Sequence, residues 1–154
     1  MPQPLGKDAR CSIARSLEVL GERWTLLIVR EAFWGRTRFS EFRTSLGIAP
    51  DVLTDRLTTL VEHGVMERRA YRAEGSRERY EYVLTPAGEE LRYVLGALTA
   101  WGDQYRPTPA GPATRFVEEP TGAPVQLRFV SSDGRLVDPE TVVAVRNQAA
   151  TASR

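Results

Sequence analysis

Apolar residues recur at spacings of three and four along the first two thirds of the chain, and glycines cut the pattern into segments. Ser12 is placed to cap a first helix in which Ile13, Leu17 and Leu20 share a face. Residues 23–34 predict a second, with Trp24, Leu27 and Ile28 on one side and Arg30 and Glu31 toward the other. Residues 36–39 read as a short extended piece. Ser40 then caps a short helix whose Phe42 and Leu46 face inward. Gly47-Ile48-Ala49-Pro50 forms a turn, and Pro50, with φ already set, opens a helix running to His63. Leu53, Leu57, Leu60 and Val61 are its apolar stripe. Gly21, Gly35, Gly47, Gly64 and Gly102 each follow a helical stretch, where a chain end free to take positive φ is favoured.

The period then changes from 3.6 to 2. Residues 65–71 and 80–84 read as paired strands, with residues 72–79 as a polar, glycine-containing tip. Thr85 and Pro86 open a last long helix, Thr85 as cap and Pro86 at the first position. Along it Leu91, Val94, Leu95, Leu98, Trp101 and Tyr105 form a wide stripe with little of its own domain left to cover it, which predicts burial against a second copy. Residues 107–112 are a linker by composition. In residues 113–146 Val125, Leu127 and Phe129 alternate with polar residues, and Leu136 and Val137 follow a turn at residues 131–134. This predicts a small β-hairpin tail, to which Val142, Val143 and Val145 would add a strand. Residues 147–154 are expected to be disordered. Two short helices joined by a tight turn and followed by a β-hairpin form a winged helix-turn-helix. The fold class expected is therefore α+β, mainly α, with a DNA-binding and dimerisation domain over residues 1–106.

Composition removes other classes. In 154 residues no apolar run approaches the roughly 20 that a membrane span needs. Residues 1–10 lack the apolar centre of a signal peptide, so the cytoplasm is the expected compartment. Cys11 is the single cysteine, which excludes an intrachain disulfide framework. There is no P-loop, no dinucleotide fingerprint and one histidine, so neither an enzyme nor a cofactor is expected. His63 has no companion ligand and is a poor metal site; at a helix C-terminus it complements the dipole. Net charge is only +1. Between positions 36 and 79, however, nine arginines face seven acids, and arginine's planar fork suits phosphates and guanine edges.

The ordered set Leu17 to Gly21, Arg23-Trp24-Thr25-Leu26-Leu27-Ile28, Arg38-Phe39, Phe42, Ile48-Ala49-Pro50, Leu53-Thr54-Asp55-Arg56-Leu57, Leu60, Gly64, Arg79-Tyr80-Glu81-Tyr82-Val83-Leu84-Thr85, Gly88, Leu91 and Trp101-Gly102, with Cys11 ahead of it, resembles the HxlR-type winged helix-turn-helix regulators over about residues 8 to 105. The resemblance implies a homodimer that binds double-stranded operator DNA and regulates nearby genes, repression being the expected sign. It also makes Cys11 a candidate redox sensor, as in members that sense oxidants or electrophiles; the competing reading is a small buried apolar residue. A small-molecule effector between the dimer helices is a further candidate partner. Three features depart from the pattern: Ala49 replaces a common serine, Asp51 a common basic residue, and the tip of the hairpin is about two residues longer. In the tail, Thr121-Gly122-Ala123 and Val130 to Gly134 occupy the places of cysteine and histidine motifs that some relatives use for metal.

A helical step of about 100° turns Asp51, Asp55, Thr58 and Glu62 outward from the Leu53–Leu57–Leu60 stripe, with Val52 and Thr59 beside them and Thr54 and Arg56 at the flanks. The candidate DNA contacts are Thr54, Asp55, Arg56, Thr58 and Thr59 on this helix. Arg36, Arg38 and Ser40 before it, and Arg72, Arg77 and Arg79 in the hairpin, complete the set. Two of these have competing readings. Arg56 can contact DNA or pair with a carboxylate inside the domain, and the hairpin arginines can be neutralised by Glu74 and Glu78. Asp51 is sufficiently explained by the helix dipole. The alternative function is a winged-helix protein-interaction module without specific DNA binding, favoured by the acidic outward face and near-neutral charge.

Overall fold

The computed structural model describes residues 10–72 and 78–145. Helices α1 (Ser12–Leu20), α2 (Arg23–Phe33), α3 (Phe39–Leu46) and α4 (Pro50–Glu62) are followed by strands β1 (Met66–Tyr71) and β2 (Arg79–Leu84), then α5 (Pro86–Glu89) and α6 (Arg92–Tyr105). Strands β3 (Phe129–Val130) and β4 (Leu136–Val137) and a 3-10 turn, Pro139–Thr141, follow. The fold is the α+β, mainly helical, winged helix-turn-helix expected.

The core of the first unit, which ends at Leu98, is small and contiguous. Ile28 and Val29 of α2, Phe42 of α3, Ile48 of the turn and Leu53, Leu57 and Leu60 of α4 are buried together with Val65 and Met66. Gly47 ends α3 at φ +62, a conformation that a side chain would resist, so α4 can leave at an angle to α3. Strands β1 and β2 pair antiparallel with Met66 opposite Leu84 and Tyr71 opposite Arg79. The expected extended piece is one bridge long: Arg38 pairs with Glu81, and the Tyr82 N–H donates to the Thr37 carbonyl at 2.7 Å.

Several expectations at helix ends are corrected. Helix α1 begins at Ser12, so Cys11, not Ser12, is in the cap position. Helix α2 ends at Phe33, and Trp34 is its cap. Helix α3 begins one residue before Ser40, because the Glu41 carboxylate accepts the N–H groups of Thr37 and Arg38, each at 2.9 Å, and fixes the start at Phe39. Gly21 keeps a right-handed φ of −69, and Gly102 lies inside α6. The helix after Thr85 is interrupted at Glu90 and Leu91, where the Leu91 N–H bonds back three residues to Gly88. Thr85 caps as expected, accepting from the Gly88 N–H at 3.2 Å.

Glu31 is the main departure in the core. Helical phase put it toward the polar side of α2, yet its side chain has no exposed surface. Arg30 pairs with its Oε1 at 2.6 Å and Arg36 with its Oε2 at 2.9 Å, and the Ser45 hydroxyl also donates to Oε2. Burial pushes the Glu31 carboxyl up, but Ser45, Arg30 and Arg36 outweigh burial and hold it below the ordinary carboxylate range.

The second unit, from Thr99 onward, contains the tail. Strands β3 and β4 pair antiparallel, with Phe129 opposite Val137, as the alternation predicted. No strand forms at Val142, Val143 and Val145. The Asp138 carboxylate caps a 3-10 turn at Pro139 instead, and the chain leaves it without a β partner. No residue of the described tail beyond Tyr105 is buried. The expected disordered end, residues 147–154, lies outside the described residues.

Candidate nucleic-acid interface

Helix α4 turns a continuous face to solvent. Asp51, Thr54, Asp55, Thr58 and Glu62 are exposed, at intervals that stack on one side of a helix, while Val52 and Thr59 are half-buried at its edges. Thr54 is exposed at the flank of this face, as helical phase predicts. Its hydroxyl donates to the Pro50 carbonyl at 2.8 Å, and that of Thr59 to the Asp55 carbonyl at 3.0 Å. With those protons committed along the helix, both side chains offer outward a methyl group and an acceptor oxygen.

Arg56 is held toward the protein. One of its terminal nitrogens lies 3.8 Å from a Glu22 oxygen at the start of α2, and its Nε is buried without a partner. Of the two readings open in the sequence, this contact supports the inward pairing. Arg36, a phosphate candidate, is likewise engaged, with Glu31 as described. Arg38 remains exposed at the start of α3, its guanidinium 5.1 Å from the centre of the Tyr71 ring on β1. Ser40 is exposed one residue into the helix.

On the hairpin, Arg79 is exposed opposite Tyr71, and Arg72 is exposed just beyond β1. Arg77 lies outside the described residues. Arg68, which motif reading passed over, stacks at 3.8 Å on Tyr80. The register could have found this pair: Ala70 faces Tyr80, so Arg68 is the diagonal neighbour on the same face. Arg43, exposed in the last turn of α3, was passed over too.

The predicted dimer stripe divides in two. Leu91 and Leu95 are half-buried and pack back on their own core, whereas Val94, Leu98, Trp101 and Tyr105 are exposed on α6. Ile13 and Leu17 of α1 and Tyr93 of α6 are exposed as well. Trp101 and Tyr105 are in ring contact at 5.7 Å. Cys11 is an exposed free thiol ahead of α1.

Residues 19–109 match the model of the HxlR-like helix-turn-helix family. The chain belongs to that family. It is 43% identical over 119 residues to the HTH-type transcriptional regulator Rv3095 of Mycobacterium tuberculosis, a match covering 77% of this chain and 74% of the relative. A crystal structure of the transcription-factor candidate PA1607 is also 43% identical, with a TM-score of 0.77 over 92% of this chain and 98% of that one. Such coverage extends well past residue 109 and so includes most of the tail. The redox regulator HypR in its reduced form is 28% identical over 62% of this chain and 94% of its own, with a TM-score of 0.56. The chain is thus a transcriptional regulator of the HxlR-like winged-helix type, and among its described residues no helix is long and apolar enough to cross a membrane.

Proposed function

We propose that two copies of this regulator bind a pseudo-palindromic DNA operator in the cytoplasm and repress the genes beside it. The observation that carries this reading is the pairing of two exposed surfaces. Helix α4, the second of the helix-turn-helix, presents an unbroken polar face, and beside it the hairpin and the start of α3 present exposed Arg38, Arg72 and Arg79. In this reading Asp55, Thr54 and Thr58 meet base edges, with Thr59 at the rim of the helix. The arginines and Ser40 bind phosphate or the adjoining minor groove, and so does Arg77 in the tip. Arg36 and Arg56 position rather than bind.

The copies associate through α6, on which Val94, Leu98, Trp101 and Tyr105 are exposed, and Ile13 and Leu17 of α1 offer further exposed apolar surface. Two half-sites then lie one helical turn, or a multiple of it, apart. Selection of bound duplexes from a genomic fragment library with the full chain, followed by titration at several salt concentrations, tests the reading. A recurrent inverted repeat with salt-dependent affinity is expected. Binding that shows no preference over competitor DNA would overturn it in favour of a protein-interaction module, which the acids of the α4 face would suit.

Cys11 is the candidate input. Its thiol is exposed, and the likeness to a redox regulator supports an oxidant or electrophile as signal. With one thiol per chain, oxidation would join two subunits or a subunit and a small thiol. Loss of operator binding on diamide treatment, absent in Cys11→Ser, is expected; an equal response in both proteins would exclude it.

A further inference from the structure

The side chains that α4 exposes are unusual for a helix that reads DNA. Asp51, Thr54, Asp55, Thr58 and Glu62 include no cationic group. The one arginine of the helix, Arg56, is three-quarters buried and drawn toward Glu22. Thr54 donates its hydroxyl proton to its own helix, as does Thr59 at the rim. Asp55 is exposed and carboxylates only accept. Apart from the Thr58 hydroxyl, the chemistry of this face is therefore acceptor oxygens and methyl groups, with no cationic fork to span O6 and N7. Guanine shows the major groove two acceptors, O6 and N7, which are read by arginine or lysine. Cytosine N4 and adenine N6 are donors, and thymine carries a methyl group.

Resting on the operator-binding reading above, we infer that α4 recognises base amino groups and thymine methyls and makes no use of the guanine O6/N7 edge. Asp55 accepts from a cytosine or adenine amine, and the methyls of Thr54 and Thr58 pack on thymine. The same carboxylate repels phosphate at every sequence, so Asp55 lowers affinity for all DNA while rejecting the bases that offer it only acceptors. It is a specificity determinant that works mainly by exclusion.

The test uses the full chain and the duplex obtained by selection. Replacing each guanine of the half-site core by 7-deazaguanine removes N7 and leaves pairing intact. Kd is expected to change by less than about twofold, against the roughly fivefold or greater loss that removing a good arginine–guanine contact would produce. Replacing core thymines by uracil is expected to weaken binding roughly threefold or more at a contacted position, in keeping with burial of one methyl group. Asp55→Ala is expected to bind random duplex more tightly and to lose its base preference at one position per half-site when the selection is repeated. A strong 7-deazaguanine effect in the core, or an Asp55→Ala selection profile identical to the original, overturns the inference while leaving operator binding intact. Failure to select any sequence overturns operator binding itself, and this inference with it.

Discussion

Arg36 Nη1 lies 2.9 Å from Glu31 Oε2, joining a partly exposed cation to a carboxylate that no solvent reaches. The pair links the end of α2 to the chain entering α3. Arg30 holds the other oxygen, and the Ser45 hydroxyl donates to Oε2 beside Arg36. A charge buried in this way is tolerable only while its partners remain.

Arg36→Ala is expected to destabilise the protein by about 1–3 kcal/mol, less than the loss of a sole partner because Arg30 and Ser45 stay in place. Glu31→Gln introduced into the same chain should recover part of that loss. Urea denaturation of the two single variants and the double variant checks this. If Arg36→Ala left stability unchanged but weakened DNA binding, the arginine would be a phosphate contact instead.

Acid should expose the same group. Glu31 is depressed despite its burial, through Ser45, Arg30 and Arg36. Glu41 is depressed by the backbone N–H groups of Arg38 and Thr37. A carboxyl with a lowered folded-state pKa stabilises fully above its unfolded value, ordinarily 4.5, and that stability is lost as pH falls through the folded value. Stability should therefore decline below about pH 4.5, and the decline should be shallower in Glu31→Gln. Denaturation midpoints at pH 3.5 to 7 would measure it.

The exposed hairpin arginines predict a salt signature. Arg79→Ala should weaken binding to all duplexes nearly equally and reduce the slope of log K against log salt by about 1. Anisotropy titrations on specific and random DNA would show it. A loss confined to the selected sequence would make Arg79 a base reader.

Leu98→Asp sets a charge on the exposed apolar surface of α6 and should convert the proposed dimer to monomers without unfolding them, since Leu98 is 49% exposed in the single chain. Leu95→Asp, in contrast, strikes a side chain packed on the core and should unfold the domain. Sedimentation and circular dichroism separate the two outcomes; a Leu98→Asp protein that stays dimeric would place the interface elsewhere.

Gly88→Ala should cost more than a loop glycine usually does. A Cβ there would stand 2.1 Å from the Val65 carbonyl oxygen, a backbone atom that cannot turn aside. A loss of roughly 2 kcal/mol or more is expected, as for other overpacked positions. Thermal melting checks it, and an unchanged midpoint would mean that the α5 turn moves freely.

Period and punctuation made most of this fold legible. The α4 stripe of Leu53, Leu57 and Leu60, the β1–β2 pairing and the Thr85-Pro86 start were readable because each follows from local spacing and capping. Glu31 was not, because its burial depends on Arg36 and Ser45 arriving from outside its helix. The cap before Phe39 was misplaced for a similar reason: a serine is an obvious cap, but Glu41 reaching back to two N–H groups won. At the interface, helical phase found the outward face, yet it could not say that Arg56 turns in to Glu22 or that Arg68 lies on Tyr80. The apolar surface of α1 was missed because a stripe reads the same whether it faces its own core or a partner.

Thr85 Oγ1 lies 2.5 Å from the Gly64 carbonyl and 3.1 Å from that of Val65, just where the chain leaves α4, and Gly88 lets α5 sit flush against Val65. The joint has no slack. The start of α5 is thereby tied to the end of α4. In the proposed two-copy assembly, the gauge between the two α4 helices would then depend on this joint as well as on the interface.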